Sequence, residues 1–182
     1  MADTPENQAE YPQMANQKAG CGFPIARMIG LFSLATGAAN RVAIAVYQGK
    51  QTGETSLLRS MLHLVVAGRI LLSDRYYASF WLFAAGMMKK IDVVARAHHL
   101  RKLDFRRGSK LGYLDQVVEY RKPHRPDRMS KKEYMKYPDV IRVRHLRYKV
   151  HQKGYRTRQV TLATTLLNGE VLHGRRSCIA LW

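Results

Sequence analysis

Apolar positions along the chain alternate between short runs and helically spaced repeats. Met28-Ile29-Gly30-Leu31-Phe32-Ser33-Leu34 predicts a largely buried strand. Arg41 to Tyr47 predicts its neighbour, with Gly37 and Asn40 supplying turn chemistry between them. After a polar loop, Gly49 to Gly53, Thr52 is placed to cap a helix whose first turn holds Glu54. Leu57, Leu58, Met61, Leu62 and Val65 recur at helical spacing as its core face, and Gly68 suits the position just past its end. Arg69 to Leu72 predicts a short buried strand with Asp74 where it ends. An apolar, aromatic helix follows from about Tyr77 to Met88, with Tyr77, Phe80, Trp81, Ala84 and Met88 on one side and Lys89 and Lys90 at its C-terminus. Ile91 to Ala95 predicts another strand. The order β-β-α-β-α-β over residues 25–97 suggests a mixed sheet with helices packed on it.

The flanks differ. Residues 1–24 hold three of the six prolines, with Gly20 and Gly22, and read as an irregular arm. Beyond His99, Arg101, Lys102, Arg106, Arg107 and Lys110 crowd a glycine-containing segment, and Leu114 to Tyr120 suits a strand. Ser130-Lys131-Lys132-Glu133 fits a capping box for a short helix stopped at Pro138. Val140 to Val150 alternates as a strand with a slip. Ile141 and Val143 oppose Arg142 and Arg144, then Leu146, Tyr148 and Val150 oppose Arg147 and Lys149. A β-bulge near His145 would keep both apolar sets on one side and gather the cations on the other. Tyr155 to Leu167 returns as a strand carrying Arg156 and Arg158 together. The expected organisation is an arm (1–24), a core (25–99), a basic β-rich insertion (100–167) and a tail (168–182).

Composition adds a partner class. The 182 residues carry a net charge of +18, which favours a polyanion, nucleic acid before an anionic membrane surface. Residues 1–90 hold nine Lys/Arg against five Asp/Glu, and residues 91–182 hold 22 against eight, so the basic surface is expected mainly in the second half. Cys21 and Cys178 belong to no Cys-x-x-Cys pair and read as reduced thiols of a cytoplasmic protein. The histidines form no metal-ligand pattern. Tyr76 to Met88 is too short to cross a bilayer, which needs about 20 residues.

Asp74 carries the candidate chemistry. At the carboxyl end of a strand in an open α/β sheet, a carboxylate stands where ligands bind and where a hard cation finds an oxygen ligand. The same residue also suits a helix N-cap. The surrounding segment, Asp74-Arg75-Tyr76-Tyr77-Ala78-Ser79-Phe80-Trp81, resembles the second catalytic acid region of bacterial DDE transposases of the insertion-sequence-four type. Asp3-Thr4-Pro5-Glu6-Asn7-Gln8, Gly20-Cys21-Gly22-Phe23-Pro24, Gly49-Lys50-Gln51-Thr52-Gly53-Glu54-Thr55 and Asp104-Phe105-Arg106-Arg107-Gly108 match the same family in order.

The resemblance implies a ribonuclease-H-like core, here partial, interrupted by a β-rich insertion. It implies DNA transposition by metal-dependent strand cleavage and transfer, with Asp74 as a catalytic, Mg²⁺- or Mn²⁺-binding acid. The family's first acid lies upstream of the segment matched by Asp3, and the neighbours of its third are not those of Glu170, so neither role is carried onto Asp3 or Glu170. The expectation is therefore a truncated, inactive transposase fragment in a bacterial cytoplasm, associated with the nucleoid. Its partners would be DNA, its own copies or a full-length transposase. Arg101, Lys102, Arg106, Arg107, Lys110, Arg142, Arg144, Arg147, Lys149, Arg156 and Arg158 are the expected phosphate contacts. The alternative is a non-catalytic basic DNA-binding protein that competes with a full-length transposase. A ribosomal-type RNA-binding protein is supported by charge alone. A sheet without its first strand is expected to leave an edge open to aggregation.

Overall fold

The structure is a computed structural model that describes residues 1–98, 101, 103–149 and 159–167, with residues 178–181 as backbone. It contains two compact units, Met1–Val65 and Val66–Leu181. Each contributes to a mixed α/β architecture of sheet and flanking helices.

In the first unit the arm is more regular than expected. Helix α1 (Pro5–Glu10) starts with Pro at its first position and the Thr4 hydroxyl accepting from the Asn7 N–H at 3.3 Å. Glutamine side chains tie the rest together. Gln8 Nε2 donates to the Gly22 carbonyl at 2.8 Å, and Gln13 Oε1 accepts from the Gly22 N–H at 3.1 Å. Strands β1 (Ala26–Ser33) and β2 (Ala39–Val46) form the expected antiparallel pair. Gly37, at φ +70°, donates its N–H to the Ser33 carbonyl in the connecting turn, a backbone state glycine reaches without penalty. Helix α2 (Glu54–Met61) packs on both strands. Its cap is Gly53 rather than Thr52, whose hydroxyl instead donates back to the Gly49 carbonyl at 3.1 Å. Of the predicted core face, Leu58, Met61, Leu62 and Val65 are buried and Leu57 is half-buried.

The second unit is built on strands β3 (Ile70–Ser73), β4 (Asp92–Arg96), β5 (Ser109–Gly112), β6 (Asp115–Arg121), β7 (Val140–Lys149), β8 (Gln159–Thr164) and β9 (Cys178–Leu181). Their order is β9-β3-β4-β8-β7-β6-β5. The β9-β3-β4 section is parallel and the remainder antiparallel. With β9 on one side and β4 on the other, β3 is not an edge of this sheet.

Helix α3 (Phe80–Met88) crosses between the parallel pair β3 and β4 and packs on β4 and β7. Its cap is Ser79, whose hydroxyl accepts from the Leu82 N–H at 3.4 Å; Asp74 caps only the preceding 3₁₀ turn, Arg75–Tyr77. The buried set is Phe80, Leu82, Phe83, Ala84, Ala85 and Gly86, broader than the predicted stripe. Met88 is exposed, and Trp81 is half-buried against Tyr134 and Tyr137, with ring centroids at 5.9 and 5.3 Å. Those tyrosines belong to or follow helix α4 (Lys131–Tyr134), which the Ser130 hydroxyl caps as predicted, accepting from the Glu133 N–H at 3.1 Å.

The bulge expected near His145 is absent. β7 pairs with β6 and with β8 in unbroken register across this residue. Strict alternation therefore places Ile141, Val143, His145, Arg147 and Lys149 on one face and Arg142, Arg144, Leu146 and Tyr148 on the other. The single basic face is split, and a histidine occupies a core position. The apolar set changes parity after His145 without a slip, because the His145 imidazole is 3 % exposed and finds a partner inside.

The α3–sheet contact is close at Gly86, where a Cβ would lie 2.6 Å from Val93 Cγ2 and 3.0 Å from the Ile91 carbonyl oxygen. Gly86→Val is expected to destabilise the protein by about 1–3 kcal/mol, read as a lower urea midpoint with an unchanged slope.

Candidate functional site

The carboxyl ends of β3 and β4 and the adjoining ends of β7 and β8 surround a cavity of about 240 Å³. Arg75, Arg96, His98, Arg101, Arg147, Gln159 and Thr161 line it, together with Ala97 and Leu103. Each cation arrives by a definite route. Arg75 follows Asp74 in the turn after β3, and Arg96 is the last residue of β4. The Arg101 N–H donates to the His98 carbonyl at 3.0 Å, and both residues line the cavity. Arg147 projects from β7 opposite Thr161, whose hydroxyl accepts from its Nε at 2.9 Å, and its guanidinium lies 4.8 Å from the centre of the Phe105 ring.

Charge balance separates these arginines from the others. Among the described residues none of the four is ion-paired, whereas several other cations of the second unit are. Arg144 makes a bidentate pair with Asp115, its Nε at 2.7 Å from Oδ1. Arg106 and Arg107 both contact Asp104, at 3.0 and 3.3 Å, and the Arg106 side chain and N–H hold the Asp104 carboxyl below its usual range. Lys122 pairs with Asp139 at 2.6 Å. Four like charges around one concavity repel one another and favour an anion between them.

Of the expected phosphate contacts, the structure brings Arg101 and Arg147 into the cavity. Arg106, Arg107 and Arg144 carry acidic partners. Lys110, Arg142 and Lys149 are exposed on β5 and β7. Lys102, Arg156 and Arg158 lie outside the described residues. Arg75 and Arg96 were not among the expected contacts, although the chain signalled both. Arg75 adjoins the candidate acid, and Arg96 ends the neighbouring parallel strand, so both stand at the ligand-binding end of the sheet.

Asp74 is exposed at the end of β3, and its Oδ1 accepts from the Arg75 N–H at 2.6 Å. The described residues contain no group of three or more His, Cys, Asp or Glu able to hold a metal ion. A single carboxylate beside guanidinium groups suits Mg²⁺ only when phosphate oxygens and water complete the shell.

Beneath the rim lies a buried polar pair. Tyr120 on β6 and His145 on β7 share a hydrogen bond of 2.6 Å between the phenol oxygen and Nε2. His145 sits in a row across the sheet between Gln116 and Ala163. Its Nδ1 has no hydrogen-bond partner among the described residues. Burial, assisted by the Arg101 charge, pushes its pKa down to about 4, and burial pushes the Tyr120 phenol up to about 12. The imidazole is therefore neutral at pH 7.

The chain matches no family model, no curated protein and no solved structure. No helix among the described residues is long and apolar enough to cross a membrane.

Burial of a neutral His145 makes stability depend on pH. Its folded pKa lies below the unfolded value of about 6.5, so the unfolded chain binds the extra proton first. The neutral imidazole's contribution is complete above pH 6.5 and is lost as pH falls toward 4, with a ceiling of about 3 kcal/mol. Urea melts at stepped pH should show this loss in the wild type, and His145→Gln should show a smaller one over the same interval.

Proposed function

We propose that this chain is a DNA-binding part of a bacterial DDE transposase of the insertion-sequence-four type, and that its own activity is binding of the DNA phosphate backbone. The observation that carries the reading is the cavity lined by Arg75, Arg96, Arg101 and Arg147 at the strand ends next to Asp74. Four guanidinium groups without acidic partners among the described residues offer fork-shaped donors matched to phosphate oxygens. The excess of cations in residues 91–182 extends the attraction beyond the cavity.

The ribonuclease-H-like identity belongs to the same proposal. It is supported by the parallel β3-α3-β4 unit with a carboxylate at the end of its first strand, and by the ordered motif resemblance. In this reading Asp74 is one carboxylate of a two-metal phosphoryl-transfer centre, in which ions roughly 4 Å apart need several carboxylates. Asp74 alone would hold Mg²⁺ or Mn²⁺ weakly and jointly with DNA phosphates. Strand cleavage by the isolated chain is therefore not part of the proposal. A role in pairing with, or competing against, a full-length transposase is compatible with backbone binding.

Salt titration tests the reading. Binding to duplex DNA of arbitrary sequence should weaken linearly on a log–log plot, with a slope of about −0.9 for each phosphate neutralised. Arg96→Ala combined with Arg147→Ala should reduce the slope by about two; affinity indifferent to salt would overturn the reading. Asp74→Asn should bind at least as tightly as the wild type without divalent cations, because it removes a negative charge beside the cavity. Mg²⁺ should narrow that difference by screening the Asp74 carboxylate.

A further inference from the structure

Arg101 is the least anchored of the four cavity arginines by chain geometry, since it belongs to no strand or helix. It shares the lining of the cavity with three like charges, which repel it when no anion is present, and it also lines a second cavity with Tyr120 and Glu119. Holding a long, flexible side chain against that repulsion costs rotamer entropy. An acidic partner would hold it but would also cancel the charge and occupy the N–H donors.

The protein holds it differently. The Arg101 guanidinium lies over the face of the Tyr120 ring, 4.0 Å from the centroid. A ring face attracts a cation through its quadrupole and uses none of the five N–H donors. The ring is itself fixed. Tyr120 is 6 % exposed, its phenol is bound to His145 Nε2, and Phe83 of α3 packs edge-on against it at 6.1 Å. His145 is fixed in turn by the unbroken register of β7.

We infer that Tyr120 and His145 are a positioning pair that holds Arg101 at the cavity as a phosphate-binding cation whose donors are unpaired among the described residues. The inference rests on the phosphate-binding reading of the cavity. Tyr120 and His145 do not touch the ligand in this account; they act through Arg101. The ligand class is a phosphate oxyanion of a nucleic acid backbone, because the planar guanidinium fork matches two phosphate oxygens.

The test is a double-mutant cycle on binding of a short DNA duplex, with each variant first shown to be folded by circular dichroism. Arg101→Ala and Tyr120→Leu should each weaken binding by about 2- to 30-fold. Each should lower the salt slope by about one. The double variant should bind no more weakly than Arg101→Ala alone, a result that mere loosening of the fold would not give. Tyr120→Phe keeps the ring face but loses the bond to His145, and should weaken binding less than Tyr120→Leu does. Should Tyr120→Leu fail to fold, the Arg101 side-chain NMR resonance in the wild type replaces it. That resonance should be displaced by the ring current and should move when DNA is added.

A wild type that binds DNA, is weakened by Arg101→Ala and is unchanged by folded Tyr120→Leu overturns the positioning inference and leaves the binding reading standing. So does an Arg101 resonance that responds to DNA without a ring-current displacement. A wild type with no salt-dependent binding overturns both.

Discussion

The unbroken register of β7 between β6 and β8 is the constraint on which the second unit depends. With side chains alternating strictly, no residue of this strand can change face without moving every other one. That requirement sends His145 into the core beside Ile141 and Val143 and divides the arginines between two faces. A buried imidazole needs a polar partner, and Tyr120 supplies one at 2.6 Å. The ring that reaches inward to His145 with its hydroxyl offers its face to Arg101. A polar position in the core and a cation at the surface are therefore linked through one aromatic side chain.

The helix packed over this sheet has a matching role. α3 comes close enough to β4 that Gly86 has no room for a side chain, and Phe83 reaches Tyr120. The segment before α3 carries Asp74 and Arg75, so close packing of the helix also fixes where those residues stand relative to the strand ends. Trp81, tilted against Tyr134 and edge-on to Tyr137, joins the same helix to the α4 region.

Local signals were legible in the sequence. The strands from Met28, Arg41, Arg69 and Ile91, the helix around Leu58 and the Ser130 cap all follow from runs, spacing and capping chemistry within a few residues. What was not legible depends on partners distant in the chain. The register of β7 is set by β6 and β8 together, so the apparent slip at His145 could not be told from a buried histidine without knowing that Tyr120 would meet it. The same holds for the arginines. Arg144 and Arg147 look alike in an alternating run, yet Asp115 lies opposite the strand region of one and Thr161 opposite the other. Arg96 was hidden because a strand's last residue counts as a site only once its parallel neighbour is known. Asp74 was readable as a strand-end carboxylate, whereas its surroundings required the fold.

The pairing of β3 with β9 bears on how the second unit assembles. Ile70 aligns with Cys178, so β3 receives one of its two neighbours only after more than a hundred intervening residues have been made. Contacts this distant in sequence form slowly, because a long loop must close before they stabilise anything. On the ribosome, β3 can pair with β4 early, yet it presents a bare hydrogen-bonding edge until β9 emerges. During that interval the nascent chain is open to capture by another extended segment.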